Sequence, residues 1–319
     1  MVPEERAPRG VAADGQRRVL LLAHTGREEA REVARAFVES LNGHQIVVRL
    51  LADEAAELGL VADRERIELA DGEPDAGDGC ELAVVIGGDG SILRAAEITH
   101  ASGTPVLGVN LGHVGFLAEA EVEHVETTIQ AIVDRRYATE DRLTLDVTVH
   151  HDGELVSSTF ALNEASVEKA ARERMLEVVL EIDGRPLSRF GCDGVVCATP
   201  TGSTAYSFSA GGPVVWPGVE ALCVVPLSAH ALFARPLVVA PTSVVAVEVL
   251  TRSDGAGVLW CDGRRTVELP PGARIEVRSG AQPVRLVRLH EAPFTDRLVA
   301  KFDLSVEGWR GRRSGDVDA

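Results

Sequence analysis

The hydrophobic period of this chain changes once, near Tyr137, and that change sets what it can fold into. Before it, short apolar runs alternate with segments of helical period, whereas after it apolar residues recur at every second position between closely spaced turn pairs. VLLLAHT from Val19 reads as a strand. The following segment places Ala30, Val33, Ala34, Phe37, Val38 and Leu41 on one helical face, closed by Asn42 and Gly43. Strand signals return at residues 45–50, 82–86 and 105–109, with helices expected over 91–100 and 122–136. Such alternation builds a parallel sheet covered by helices.

In the second part Leu143, Leu145, Val147 and Val149 alternate with polar residues, and His151-Asp152-Gly153 turns the chain into a strand over 154–162. Residues 176–182 end on Asp183-Gly184 in the same way, and 243–250, 257–261, 266–269 and 274–278 are further short strands. The expected organisation is a mobile tail over 1–18, a helix-covered α/β domain over 19–138, an all-β domain over 139–292, and a tail over 306–319. A helix over 293–305 places Phe294, Leu298, Val299 and Phe302 on one face and is expected to pack back onto the first domain.

Composition excludes several function classes. The 319 residues are 45% hydrophobic, which rules out disorder as the main state, and the net charge of −17 argues against nucleic-acid and membrane-surface partners. No apolar run reaches the roughly 18 residues of a membrane span, and the first residues lack a signal-peptide pattern. Cys80, Cys192, Cys197, Cys223 and Cys261 form no CxxC pair, which favours free thiols in a reducing cytosol. Only two of the 32 basic residues, Lys169 and Lys301, are lysine, and neither follows a glycine-rich turn. Any phosphate chemistry here works without a P-loop or the strand lysine of protein kinases.

Three segments carry chemistry. VVIGGDGSILRAAE at 84–97 is a strand, a turn and a helix start, in which Gly87, Gly88 and Gly90 allow positive φ and close approach of backbone N–H groups to an anion. Asp89 stands out there, because a carboxylate in an anion site repels the ligand unless it takes a proton or meets a metal. It is also a good N-cap for a helix beginning near Ser91, and both readings stand. ATPTGSTAYSFSAGGP at 198–213 crowds hydroxyls at Thr199, Thr201, Ser203, Thr204, Tyr206, Ser207 and Ser209, which suits a polyol or phosphate oxygens and equally a surface loop. In ALNE at 161–164, Asn163 and Glu164 offer a base-edge partner and a carboxylate for paired sugar hydroxyls, or are ordinary turn residues.

Together these motifs, with NLGHVGFLAE at 110–119 and DGVVCATPTGSTAYSFSAGGPVV from Asp193, occur in an order and spacing that resemble the bacterial NAD kinases (ATP/polyphosphate-NAD kinase family) over about residues 19–302. The resemblance implies a Rossmann-like N-terminal domain, a β-sandwich C-terminal domain that binds NAD, and a nucleotide site in the cleft between them. It implies transfer of the ATP γ-phosphate, or one from polyphosphate, to the 2′-hydroxyl of the adenosine ribose of NAD, with Mg²⁺ as divalent cation, in a cytoplasmic homo-oligomer of two or four copies. Asp89 then corresponds to the proton acceptor, the Gly87-Gly88 backbone to a polyphosphate cradle, and Gly90 and Arg94 to neighbours in the dinucleotide site. Asn163 and Glu164 match the pair that holds adenosine. Arg174 and Asp193 match binding positions of the second domain, and Thr204, Ala205, Tyr206, Ser207, Phe208 and Ser209 match its TAYSxS stretch. Ser91 stands where the family usually has Thr, and Arg264 where many relatives place a Gln against the dinucleotide. A lipid kinase sharing the GGDG turn fits poorly with the acidic balance, and a non-catalytic NAD sensor has no need of Asp89.

Overall fold

The computed structural model describes residues 15–63, 66–70, 72, 75–112, 115–121, 124–171, 175–251, 255–290 and 293–306. In chain order the first elements are β1 (Arg18–Ala23), α1 (Glu28–Gly43), β2 (Val47–Leu51), α2 (Ala52–Leu58), β3 (Ile67–Ala70), β4 (Leu82–Ile86), α3 (Asp89–Thr99), β5 (Val106–Asn110), β6 (Ala120–Glu121), α4 (Val125–Val133) and β7 (Ala138–Arg142). There follow β8 (Leu145–His151), β9 (Glu154–Ala161), β10 (Glu164–Lys169), β11 (Leu176–Ile182), β12 (Arg185–Cys192), β13 (Gly194–Ala198), α5 (Tyr206–Ser209), β14 (Leu222–Leu227) and β15 (Leu237–Val239). The chain ends with β16 (Val245–Val249), β17 (Gly257–Cys261), β18 (Arg265–Leu269), β19 (Arg274–Ser279), β20 (Val284–Arg288) and α6 (Phe294–Phe302). These divide into two compact units, one up to Glu140 together with the chain from Arg285 onward, the other Asp141–Val284.

The first unit is the helix-covered sheet. Among the described residues it has eight strands in the order β3-β2-β1-β4-β5-β20-β7, with β6 beside β5. The pairs from β3 through β5 are parallel, and so is β5 with β20. β4 and β5 are buried at every position, as strands covered on both faces must be. The buried residues of α1 are Ala30, Val33, Ala34, Phe37, Val38 and Leu41, the six that share the apolar face in the sequence. Helix and strand ends differ from expectation where the backbone turns left-handed. Gln45 at φ 61° separates α1 from β2, and Arg135 at φ 53° follows the end of α4.

Two further corrections concern the ends of this unit. The chain returns to it at Arg285 rather than at 293, because Leu286 of β20 pairs with Val106 of β5. The alternating VRLVR does not show from sequence which sheet it will join. At the other end, the expected tail over 1–18 is ordered by residue 17. Arg17 donates to the buried Glu81 at 2.5 Å and to the carbonyls of Ile132 and Val133, both at 2.7 Å. Residues 1–14, and those of the second tail beyond 306, lie outside the described residues.

The second unit is a sandwich of two six-stranded sheets, β15-β14-β13-β10-β17-β18 and β12-β11-β16-β19-β8-β9. Val147, Val178, Val247 and Ile275 of one sheet share a core with Val167, Val195, Val224 and Leu259 of the other. Asp152-Gly153 and Asp183-Gly184 have positive φ at both positions, the requirement of a tight hairpin turn with the twist of its strands. β13 is buried on both faces, since Val196 and Ala198 point away from the sandwich core and pack with Val215, Cys223 and Val225. The hydroxyl-rich segment therefore begins from a strand fixed on both sides. No described helix is long and apolar enough to cross a membrane.

Replacing Arg17 by Ala leaves Glu81, among the described residues, with Arg135 at 2.8 Å and strips the Ile132 and Val133 carbonyls of its guanidinium. Denaturant unfolding should show a loss of about 2–3 kcal/mol, with Arg17→Lys recovering only part because an ammonium cannot reproduce the fork. Unchanged stability would return Arg17 to the tail.

Candidate functional site

β1 and β4 are neighbours at the middle of the parallel sheet, with β2 and β5 on their far sides. In open α/β sheets ligands are taken up beyond the carboxyl ends of such a pair, where the strand order reverses. Gly87 and Gly88 follow β4 at that place and α3 starts at Asp89. The expected positive φ is absent from Gly87, Gly88 and Gly90. What the turn requires of Gly87 is closeness, for a Cβ there would overlap Ser91 Oγ. Cβ atoms at Gly88 and Gly90 would meet nothing within 4 Å, so their smallness serves no contact with the described residues.

Asp89 is not the N-cap. Gly88 occupies that position at φ −90°, and Asp89 is the first helical residue. Its carboxylate accepts the N–H of Phe116 at Oδ2 and of Leu117 at Oδ1, each at 3.1 Å. On the same helix Arg94 donates to Glu54 at 2.6 Å, and Glu54 also accepts the N–H of Ala23 at 2.9 Å. Burial pushes the Glu54 carboxyl above the usual range, against the opposing pull of the Ala23 N–H and Arg94.

In the second unit β10 lies between β13 and β17, with Glu164 opposite Ala198 and Ala165 opposite Cys261. The start of β10 therefore meets the ends of its two neighbours at one edge of the sheet. Thr199 donates its N–H to Asn163 O at 2.9 Å and its hydroxyl to Leu162 O at 2.6 Å. A Cβ at Gly202 would overlap the Asn163 carbonyl, so only glycine permits this approach. Several of the hydroxyls thus hold the segment itself. Ser203 bonds Pro200 O and Val215, and Thr204 bonds Thr201 O at 3.3 Å. Tyr206 and Phe208 remain exposed, and the fully buried Ser207 Oγ has no partner among the described residues.

Asn163 and Glu164 are buried, and Glu164 Oε2 lacks a partner among the described residues. Burial, then the neighbouring Asp262 charge and that of Glu168, push the Glu164 carboxyl up to about 8, opposed by the Tyr206 N–H. Ligand-free Glu164 is therefore largely protonated at neutral pH, which changes the expected carboxylate acceptor into a carboxyl that donates as well as accepts. Asp262 is the residue the sequence reading missed. It sits at φ 55° before Gly263 at φ 64°, an ordinary Asp-Gly turn, yet its buried carboxylate accepts the N–H groups of Leu162 at 3.0 Å and Asn163 at 2.7 Å. Arg265 pairs with it at 2.6 Å and lies 4.2 Å over the Phe160 ring.

The structure does not bring Asp193 to this edge within one chain. Glu168 pairs with Gly194 while Glu164 pairs with Ala198, so Asp193 belongs to the opposite end of β13, on the order of 15 Å away at strand spacing. There Lys169 holds it at 2.5 Å and keeps its carboxyl below the usual range, helped by Ser228. Arg174 lies outside the described residues.

The ATP-NAD kinase N-terminal domain family matches residues 19–137, and the ATP-NAD kinase C-terminal domain family matches 162–289. The chain belongs to the NAD kinase family. A relative from Streptomyces coelicolor described as NAD kinase 2 is 61% identical over 295 residues, covering 92% of this chain and 97% of that one. The NAD kinase of Thermobifida fusca is 59% identical over 309 residues, covering 95% and 94%. Among solved structures, yeast NADH kinase complexed with NADH superposes with a TM-score of 0.80 at 26% identity, covering 91% of this chain and 87% of that one. The NAD kinase from Archaeoglobus fulgidus in complex with ATP shares the fold at a TM-score of 0.68 and 24% identity, covering 91% and 100%. The chain thus has the helix-covered parallel sheet and the all-β part expected from the two hydrophobic periods, the latter as the sandwich that the family resemblance implies.

Because the folded Glu164 carboxyl titrates near 8 and its unfolded value is 4.5, the native state holds an extra proton between these values. That contribution to stability is complete below pH 4.5 and is lost as pH rises through about 8. In thermal melts without ligand, Glu164→Gln should match the parent at pH 5 and exceed it at pH 9 by about 2–4 kcal/mol. An equal difference at both pH values would show that Glu164 titrates normally.

Proposed function

We infer that this chain transfers the γ-phosphate of ATP to the 2′-hydroxyl of the adenosine ribose of NAD, with Asp89 as the proton acceptor. The observation that carries the reading is a fixed carboxylate at the carboxyl end of the central strand pair, flanked by two glycines at which a Cβ would meet no described atom within 4 Å. In phosphoryl transfer the protein positions the acceptor hydroxyl in line and stabilises spreading charge, while a carboxylate takes the proton. Asp89 can do this because each of its oxygens receives one N–H and keeps a further lone pair. The α3 N-terminus with Gly88 before it supplies N–H groups and a favourable dipole for phosphate, while the Gly87 N–H is held by Val109 O at 3.0 Å. Asn163, the unpartnered oxygen of Glu164 and the Tyr206–Ser209 turn are the proposed adenosine contacts.

The donor set also fits Mg²⁺ carried chiefly by the phosphates of ATP, since such ions need only one or two protein carboxylates. When bound, the ion would neutralise phosphate charge. The reading includes a cytoplasmic setting, in keeping with five buried and unbridged cysteines. It also includes a homo-oligomer, supported by the exposed Leu232 and Phe233 near β15, a strand at the end of its sheet.

With NAD and Mg-ATP, NADP should form. Asp89→Asn should lower kcat by about 10² to 10⁴ while NAD still binds. Its amide can accept only one of the two N–H bonds, so binding must be measured directly. Glu164→Ala, which removes the carboxyl oxygens altogether, should raise KM for NAD more than it lowers kcat. Near-normal turnover in the first variant would remove Asp89 as the base, and an unchanged KM in the second would place Glu164 outside the site.

A further inference from the structure

We propose that Arg297, on the C-terminal helix α6, is a positioning residue for phosphoryl transfer, because it holds the backbone whose N–H groups fix the Asp89 carboxylate. The proposal rests on Asp89 being the proton acceptor. The two N–H donors to Asp89 come from Phe116 and Leu117, which belong to neither helix nor strand and so have no ladder to set their direction. Arg297 supplies the missing constraint. Its Nη1 donates to the carbonyls of Phe116 at 3.0 Å and Ala118 at 3.1 Å, and its Nη2 to Glu119 at 2.6 Å.

Phe116 is gripped on three sides. Its N–H goes to Asp89, its carbonyl to Arg297, and its ring packs against Phe294 and Phe302 of α6 with centroids 6.0 and 5.8 Å apart. Glu119 anchors the far end of the segment. Its fully buried side chain also receives Arg288 at 2.8 Å and the N–H groups of Leu289 and His290 at 3.2 Å, while its own N–H goes to Gly108 O at 2.9 Å. The guanidinium thus spans from a braced carboxylate to the carbonyl of the residue that bonds Asp89.

Two observations set this apart from ordinary packing. Among its described side chains α6 buries only Leu298, so the helix adds little apolar core, yet its Arg and both of its Phe residues converge on one short segment. There is also no slack, since a Cβ at Gly115 would overlap Asp89 Oδ1. Movement of the segment toward Asp89 is blocked, and movement away breaks both N–H bonds and frees the carboxylate to change rotamer. Displacement of a reacting group by about 1 Å can lower a rate by the order of 100-fold.

The test uses the full chain and measures kcat, KM for NAD, NAD affinity, melting temperature and amide exchange. Arg297→Ala should lower kcat by about 10- to 100-fold with little change in KM for NAD, and should speed exchange at Phe116 and Leu117. Arg297→Lys should fall between, because an ammonium cannot serve two carbonyls and a carboxylate in one plane. Gly115→Ala leaves α6 intact, displaces Asp89 from the other side and should give the same split, so it stands in if Arg297→Ala does not fold. In an Asp89→Asn background neither substitution should lower turnover further, since the group they position is gone. An equal further loss in that background, or normal turnover of both variants in the parent, overturns the proposal. Normal turnover of Asp89→Asn alone overturns instead the assignment of Asp89 on which it rests.

Discussion

Backbone N–H groups at the ends of a sheet have no ladder to enter, and leaving one buried without an acceptor costs about 1–3 kcal/mol. Each unit of this chain meets that constraint with one aspartate that accepts two successive N–H groups. Asp89 takes those of Phe116 and Leu117, and Asp262 takes those of Leu162 and Asn163. Satisfying the backbone and fixing the chemistry are then one act. The first pair aims a carboxylate, and the second sets the direction of the Asn163-Glu164 step.

The same economy governs the hydroxyl-rich segment. Thr199 and Ser203 are spent on holding it against β10 and Val215, and Gly202 lets it approach Asn163 with no Cβ between. What is left over is chemically specific, namely one buried serine hydroxyl and one carboxyl oxygen without partners among the described residues. Arginine dominates the ion pairs of both units, and Arg94 is already paired with Glu54 in the structure.

Much of this was legible in the sequence because it is local. The apolar face of α1, the spans of β11 and β17, the presence of α6, and the change from parallel to antiparallel sheets all follow from periodicity and turn pairs. What escaped depends on distance along the chain. Asp262 reads as a turn and is one, and only its partners about 100 residues earlier make it an acceptor. Arg297 lies 181 residues from Phe116, and β20 joins a sheet whose other strands lie more than 140 residues before it. The glycines after β4 were legible as a close approach but not as a conformation, since none of Gly87, Gly88 and Gly90 turns left-handed.

The central claim is that the Asp89 carboxylate draws a proton from one hydroxyl, the 2′-hydroxyl of the adenosine ribose. The most direct measurement offers the chain Mg-ATP labelled in its γ-phosphate together with NAD in which hydrogen replaces that hydroxyl. The analogue should bind, compete with NAD and accept no label, while NAD itself is labelled. Label on the analogue would contradict the account, because phosphate would then be reaching a hydroxyl that Asp89 is not placed to serve.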